Sequence, residues 1–201
     1  MLHHLRIAVI GAGVMGEAMI SGLLKQNLIA ADQIVATEPR AERREEIEQR
    51  YGVRVTNDNL EAAHWAQVVI FAVKPQTVPK LMPELRGALR EGELVISIAA
   101  GVPIRTYVEG LAHSAASSAV SEEQRNWARA ILGSFGRQMF VDDETYLDMA
   151  TAINGTGPAY IFMVLEAMID AGVHLGLPRY MAEELVLQTM LGSVHYAMQS
   201  R

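Results

Sequence analysis

The sequence has no cysteine, no excess of basic residues and no long uncharged apolar run. Without cysteine, the chain can form neither a disulfide framework nor a thiolate-ligated metal site. Its formal net charge of −6 at pH 7 argues against nucleic acid or an anionic membrane as the main partner. Because neither a signal peptide nor a bilayer-spanning segment is evident, we expect a cytoplasmic protein with no membrane partner.

A glycine-rich segment near the start of the chain carries the strongest functional signal. The apolar run Ile7–Ile10 predicts a buried strand, and G-x-G-x-x-G spacing follows it directly. In this fingerprint the first glycine permits a tight turn, the second lets backbone approach a pyrophosphate, and the third lets the next helix pack closely. The N-terminus of that helix directs unpaired N–H groups at the phosphates. We therefore predict a dinucleotide site formed by Gly11, Ala12, Gly13, Val14, Met15 and Gly16.

Further apolar runs alternate with helical patterns along the first two thirds of the chain. They predict strands at Ile34–Thr37, Val53–Thr56, Val68–Val73 and Leu94–Ile98, and a closing strand at Arg137–Val141. This alternation is typical of an α/β fold with right-handed crossovers. With about half of its residues hydrophobic, the chain can bury the core that such a fold needs. We predict a Rossmann-type, doubly wound parallel sheet over residues 1–142.

The acid expected to bind a ribose 2′-hydroxyl is Glu38, at the end of the second strand and 22 positions after Gly16. Arg40, Arg43 and Arg44 follow it closely and could instead hold a 2′-phosphate. The alternation of arginine with glutamate over residues 40–50 is also typical of a solvated helix with ion pairs one turn apart. The choice between NADPH and NADH therefore stays open at this point.

Residues that follow the later strands are further candidates, because ligands of parallel sheets bind at the carboxyl ends of the strands. Lys74 follows the fourth strand and either faces the ligand or is an exposed charge at the start of a loop. Ala99, Ala100 and Gly101 follow the fifth strand. Their small side chains either leave room for a flat nicotinamide ring or form a plain turn.

The character of the sequence changes in its last third. An alanine- and serine-rich stretch over 113–119 is interpreted as a linker, and Asp142, Asp143 and Glu144 as helix caps, so we predict no metal site. Nearly continuous helix follows, which predicts a small all-helical domain over 143–201. Its helix at Ala159–Ala171 is too apolar for so short a segment to bury, so we expect a homo-oligomer.

Taken together, these motifs resemble the pyrroline-5-carboxylate reductase family, which makes proline by reducing a cyclic imine with NAD(P)H. The matching segments, in order, are 10–18 (Ile-Gly-Ala-Gly-Val-Met-Gly-Glu-Ala), 72–75 (Ala-Val-Lys-Pro), 97–102 (Ser-Ile-Ala-Ala-Gly-Val), 154–160 (Asn-Gly-Thr-Gly-Pro-Ala-Tyr) and 170–179 (Asp-Ala-Gly-Val-His-Leu-Gly-Leu-Pro-Arg). The resemblance implies an imino-acid substrate, NADPH as the cofactor with NADH possible, and a dimer or higher homo-oligomer formed by the C-terminal helices. It also implies an adenine-side ribose contact at Asn59 and nicotinamide-side contacts at Ala72, Val73, Lys74, Pro75 and Ala99–Gly101.

Two departures from the family pattern concern the substrate. Residues 114–119 stand where the family has an Arg-x-Met-Pro-Asn-Thr-Pro segment, and the sequence ends at Arg201 without the family's Ser-Pro-Gly-Gly-Thr-Thr loop. The backbone N–H groups of Asn154, Gly155, Thr156 and Gly157 are then the best candidates to bind the substrate carboxylate, with Thr156 lining that site as the candidate catalytic residue.

Two other functions stay open as alternatives. One is a nucleotide-binding protein without turnover, either regulatory or truncated. The other is a β-hydroxyacid dehydrogenase, which is disfavoured because such enzymes use a lysine in the second domain, whereas Lys25, Lys74 and Lys80 all lie in the first.

Overall fold

The computed structural model describes residues 2–90, 92–111 and 120–200. The chain forms two compact units, Met1–Glu144 and Thr145–Arg201. We describe each unit by itself. The predicted linker over 113–119, and with it the place of the missing family segment, lies outside the described residues.

The first unit is built on a five-stranded parallel sheet with the order β3-β2-β1-β4-β5. Its strands are β1 (Ile7–Ile10), β2 (Ile34–Thr37), β3 (Arg54–Thr56), β4 (Val68–Phe71) and β5 (Leu94–Ser97). In the central strand, Ile7 lies opposite Ile34 on one side and Val68 on the other. The chain order reverses at β1, so β1 and its neighbours define the switch point at which such folds bind ligands.

Helices cover both faces of this sheet. They are α1 (Val14–Lys25), α2 (Ala41–Tyr51), α3 (Asn59–Trp65), α4 (Val78–Glu84), α5 (Ile104–Gly110) and α6 (Glu122–Gly133), with 3₁₀ turns at Ala31–Gln33 and Pro75–Thr77. Successive residues of β1 point to opposite faces, so Ile7 and Val9 enter one core cluster while Ala8 and Ile10 enter the other. The predicted Rossmann-type class is confirmed, and burial on both faces explains the unbroken apolar strands.

One prediction about the first unit is wrong. Arg137–Val141 forms no strand, because the sheet of the described residues ends at β5 and none of its strands pairs with this segment; Met139 and Phe140 stand exposed. After Lys74 the chain forms the 3₁₀ turn Pro75–Thr77 and then α4, which ends at Glu84, one residue after Pro83.

The second unit is helical throughout. It consists of α7 (Thr145–Ala150), a π-helical turn (Thr151–Gly155), α8 (Gly157–His174) and α9 (Arg179–Gln199). Helices α8 and α9 pack through Ile169, Ala182 and Val186. A Cβ atom on Gly172 would lie 2.9 Å from the Cβ of Ala182, so this glycine permits the close helix contact, and α8 continues past the predicted end at Ala171. Gly176, at φ +99°, follows the helix end.

Most large apolar side chains of the second unit lie on its surface. The exposed fraction is 67% for Phe162, 70% for Met163 and 87% for Leu175. The segment Thr145–His174 is also long and apolar enough, by length and composition alone, to be a candidate membrane span, although it contains Glu166 and Asp170. An exposed apolar surface of this extent marks an interaction site.

Candidate active site

The glycine-rich loop is tied to the neighbouring strand by backbone hydrogen bonds. The N–H groups of Gly11 and Ala12 donate to the carbonyl of Thr37 at 3.2 and 2.8 Å, and the Gly11 N–H also meets the Thr37 Oγ1 at 3.2 Å. Gly11 has φ +101°, and a Cβ atom there would lie 2.7 Å from the Cγ1 of Val73. The tight turn predicted at the first glycine is therefore required by both conformation and space.

The other two glycines of the fingerprint have different surroundings. A Cβ atom on Gly16 would overlap the carbonyl oxygen of Gly11, so the third glycine brings α1 against the loop. A Cβ atom on Gly13 would meet nothing within 4 Å. Gly13 therefore borders open space at the N-terminus of α1, where the first N–H groups of the helix lack carbonyl partners. This arrangement fits a pyrophosphate.

Around that open space, Ala12 is buried, whereas Val14 and Met15 are exposed. The predicted loop residues therefore surround one open surface at the carboxyl end of β1.

Glu38 is largely buried at the end of β2, next to the residue that holds the glycine loop. Its side chain is 7% exposed and its Oε1 accepts hydrogen bonds from the Arg40 backbone N–H at 3.2 Å and from the Arg40 Nε at 2.8 Å. Within the described residues, Oε2 of Glu38 accepts no hydrogen bond.

The arginines that follow Glu38 are bound very differently from one another. Arg43 forms ion pairs with Glu17 and with Glu46, the latter at 2.6 Å, and its Nε donates to the carbonyl of Ala12 at 3.3 Å. Arg44 donates to the backbone carbonyls of Glu38 and Pro39 at 3.0 and 2.8 Å. The sequence left two alternatives for these arginines, a contact with a 2′-phosphate or a solvated helix face. Arg43 does not lie on a solvated face, because its side chain is only 15% exposed.

Glu17, the residue after the fingerprint, joins α1 to α2. It accepts hydrogen bonds from Arg43, from Arg50 at 2.7 Å and from the hydroxyl of Tyr51 at 2.8 Å. The hydrogen bond from Arg43 dominates and lowers the pKa of Glu17 to about 2, against an opposing effect of burial. The periodicity of the sequence did not reveal this cluster, because Glu17 lies far from its partners along the chain.

The candidate residues after β4 and β5 lie at the same edge of the sheet, because the two strands are parallel neighbours. The Ala72 N–H donates to the Ile10 carbonyl at 2.9 Å, Val73 and Pro75 are half-buried, and Lys74 is exposed. Ala99 is buried, whereas Ala100 and Gly101 are exposed, with Gly101 at φ +71°. These small residues form a turn whose outer side is open.

Ser97 and Tyr107, which the sequence did not indicate as site residues, hold that turn. The Ser97 Oγ hydrogen-bonds to the hydroxyl of Tyr107 and accepts the Ala99 N–H at 3.1 Å. Burial raises the pKa of Tyr107, so its hydroxyl stays protonated at neutral pH. A serine at a strand end followed by a buried tyrosine on the next helix is a signal that could have indicated this support.

Asn59 lies at the first turn of α3, after β3. Its side-chain amide donates to Glu84 Oε1 at 3.1 Å, while Asp58 caps the helix by accepting the Glu61 N–H at 2.9 Å. A groove of about 400 Å³ lies beside β5 and includes Ile96, Arg125 and Phe140 in its lining, but none of the predicted cofactor residues.

In the second unit, the candidate carboxylate-binding segment Asn154–Gly157 spans the junction of two helical elements. Asn154 and Gly155 belong to the π-helical turn, and Thr156 links it to α8. A π-helix pairs each N–H with the carbonyl five residues earlier, so N–H groups here are partly used within the chain, while Gly157 begins α8. Asn154, Gly155 and Thr156 are exposed, and the Thr156 side chain forms no capping hydrogen bond.

Comparison with known proteins places this geometry in a family. Residues 6–101 match the family model described as NADP oxidoreductase coenzyme F420-dependent, and residues 144–201 match pyrroline-5-carboxylate reductase dimerisation. The chain is 38% identical to the pyrroline-5-carboxylate reductase of Pseudomonas aeruginosa, over 97% of this chain and 79% of the relative. The chain belongs to the pyrroline-5-carboxylate reductase family.

Solved structures of the family agree with the fold. The pyrroline-5-carboxylate reductase of Coxiella burnetii has a TM-score of 0.89 at 30% identity, covering 97% of this chain and 80% of that one. The Plasmodium falciparum pyrroline carboxylate reductase, solved with NADP bound, has a TM-score of 0.84 at 26% identity, covering 96% and 78%.

The relatives are longer within the matched region. The similarity to the Pseudomonas reductase extends over 216 residues, which exceeds the 201 residues of this chain. That relative therefore carries residues inside the matched region that have no counterpart here. Neither family model matches residues 102–143 of this chain.

Proposed function

We propose that this protein reduces the C=N bond of 1-pyrroline-5-carboxylate with NAD(P)H to form L-proline, the final step of proline biosynthesis. The observation that carries the proposal is the similarity to pyrroline-5-carboxylate reductases along 97% of the chain. An intact dinucleotide loop supports it, since Gly11, Gly13 and Gly16 each meet the spatial requirement of the fingerprint.

The cofactor residues have separate tasks. The N–H groups at the start of α1, with Gly11–Gly16 around them, bind the pyrophosphate, and Glu38 and Arg40 lie at the ribose end. We assign Asn59 to the adenine-side ribose, and Ala72–Pro75 and Ala99–Gly101 to the nicotinamide. We favour NADPH, with NADH also accepted.

When bound, NAD(P)H supplies the hydride that adds to the imine carbon of the substrate. The protein then has to orient the substrate and exclude water from it. A protonated iminium substrate needs no strong general acid, which suits an edge of the sheet where Lys74 is the titratable side chain among the predicted nicotinamide contacts.

The substrate carboxylate is assigned to Asn154–Gly157, with Thr156 as the candidate catalytic residue. Two observations support this assignment. The segment is exposed, and a π-helical turn inside a run of helix is a feature frequent at functional sites. Since the Thr156 hydroxyl caps no backbone group, it is available to a ligand.

The chain forms a homo-oligomer, as its match to a dimerisation family indicates. We assign the contact to the exposed apolar surfaces of α8 and α9, and we place the protein in the cytoplasm. Burial between subunits is also our interpretation of why Thr145–His174 is apolar enough to resemble a membrane span.

A nucleotide-binding protein without turnover is the second candidate function, favoured by the residues that the relatives have and this chain lacks. The β-hydroxyacid dehydrogenase alternative loses support, because the second unit contains no lysine.

The deciding experiment measures NADPH oxidation by the 201-residue chain with 1-pyrroline-5-carboxylate, beside NADPH binding by fluorescence. Turnover with binding supports the reductase, and Gly13→Ala is the control that should weaken NADPH binding by about tenfold or more and lower turnover with it. Binding without turnover would contradict the reductase and support the second candidate.

A further inference from the structure

The guanidinium groups near the ribose end of the cofactor site differ in how many partners hold them. Arg43 is held by two carboxylates and by the carbonyl of Ala12, and its side chain is 15% exposed. Arg44 is held by two backbone carbonyls. Neither can turn to a ligand without breaking several charge-assisted or carbonyl hydrogen bonds.

Among the described residues, the Arg40 side chain is held only by Glu38, and it is 70% exposed. Its guanidinium can exchange Glu38 for solvent or another anion, while the backbone N–H of Arg40 still donates to Oε1 of the largely buried Glu38. Of Arg40, Arg43 and Arg44, Arg40 is therefore the one that can move to a new anion.

Glu38 is positioned for a different ligand group. It follows Thr37, which anchors the glycine loop, and its Oε2 accepts no hydrogen bond from the described residues. A carboxylate at this place accepts hydrogen bonds from ribose hydroxyls, whereas a 2′-phosphate beside it would be repelled unless a cation lay between them.

We propose that the Glu38–Arg40 ion pair decides between the two nicotinamide nucleotides. With NADH, Arg40 stays on Oε1 of Glu38 while Oε2 accepts the 2′-hydroxyl. With NADPH, the Arg40 guanidinium turns to the 2′-phosphate and shields it from Glu38. This inference rests on the proposed function. It explains how one site can bind both NADH and NADPH through the side chains of Glu38 and Arg40.

The test measures the dissociation constants of NADH and NADPH by fluorescence titration of the full chain. Arg40→Ala should weaken NADPH binding by about tenfold or more while changing NADH binding little, because a charged hydrogen bond to phosphate is lost and Glu38 is left unshielded. Glu38→Gln should act in the opposite direction, strengthening NADPH and weakening NADH.

Arg129→Ala is the control, since it removes the same charge from an exposed ion pair on α6, outside the predicted cofactor residues. It should leave the ratio of the two dissociation constants unchanged. The proposal is overturned if Arg129→Ala alters that ratio as much as Arg40→Ala does, or if Arg40→Ala weakens both nucleotides equally. If the wild-type chain binds neither nucleotide, the proposed function fails together with this inference. If the wild-type chain binds both nucleotides and Arg40→Ala weakens both equally, the inference alone fails.

Discussion

The carbonyl oxygen of Gly11 occupies the space that a Cβ atom on Gly16 would need. The two glycines are thus coupled, because the turn at the first places its carbonyl against the helix that carries the third. Gly13 lies between them along the chain but is not part of this contact. The fingerprint therefore combines a packing requirement with a ligand requirement.

Substitutions at Gly13 and Gly16 should separate those requirements. Gly16→Ala should destabilise the fold by about 1–3 kcal/mol, because backbone atoms must move apart. Gly13→Ala should leave the melting temperature nearly unchanged, since its φ of −70° suits any residue and its Cβ meets nothing within 4 Å. It should nonetheless weaken NADPH binding by about tenfold or more, because the methyl group stands where the pyrophosphate approaches. Calorimetry and fluorescence titration distinguish the two variants, and equal melting temperatures would contradict the packing role.

The ion pairs of Glu17 predict how stability depends on pH. The folded-state pKa is about 2, below the ordinary value of 4.5, so folding disfavours the proton. The stabilisation is therefore fully present above about pH 4.5 and is lost as pH falls towards 2. Glu17→Gln should lower the melting temperature at pH 7 and flatten its fall between those pH values. Glu123→Gln on α6 is the control, and an equal flattening there would refute the assignment.

Thr156 offers a test of the substrate assignment. Thr156→Ala should lower kcat/KM for 1-pyrroline-5-carboxylate by about tenfold, the effect of losing one hydrogen bond to a charged ligand. The melting temperature should not change, because the hydroxyl caps no helix. Thr156→Ser keeps the hydroxyl and should retain activity in steady-state kinetics. Unchanged constants in Thr156→Ala would remove the residue from the site.

The apolar surface of α8 predicts an effect of charge on assembly. Phe162 is 67% exposed within its own chain, and Phe162→Asp should reduce the molar mass measured by light scattering towards that of one chain. Ile104, 61% exposed in the first unit, provides a matched control, and Ile104→Asp should leave the mass unchanged. If both variants kept the oligomer, α8 would not form its contact.

Patterns with short periods predicted most of the fold. Strands buried on both faces are unbroken apolar runs, so β1 and β4 stand out from the sequence, and β1 and β2 were predicted with the bounds observed. The error at Arg137–Val141 has a physical cause, because a strand needs a paired neighbour as well as a suitable pattern.

The candidate site was only partly predictable for a related reason. Gly11–Gly16 and Glu38 follow from spacing along the chain, but the binding of Arg43 by Glu17 depends on how α1 and α2 meet. Nothing in the alternation of arginine and glutamate over 40–50 distinguishes the tightly held Arg43 from the loosely held Arg40. Likewise, the glycines near Thr156 do not indicate that the chain continues as a π-helical turn before this residue.

The small core of the second unit bears on how its folding depends on protein concentration. Within one chain that core consists of Ile169, Ala182 and Val186, with few partly buried neighbours. In the proposed assembly, in which α8 and α9 contact a second chain, burial between chains supplies much of the free energy that keeps these helices together, so unfolding and dissociation are one linked equilibrium. Dilution alone should lower the unfolding temperature of this unit, and the amount of protein made by the cell would help to set how much of it is folded.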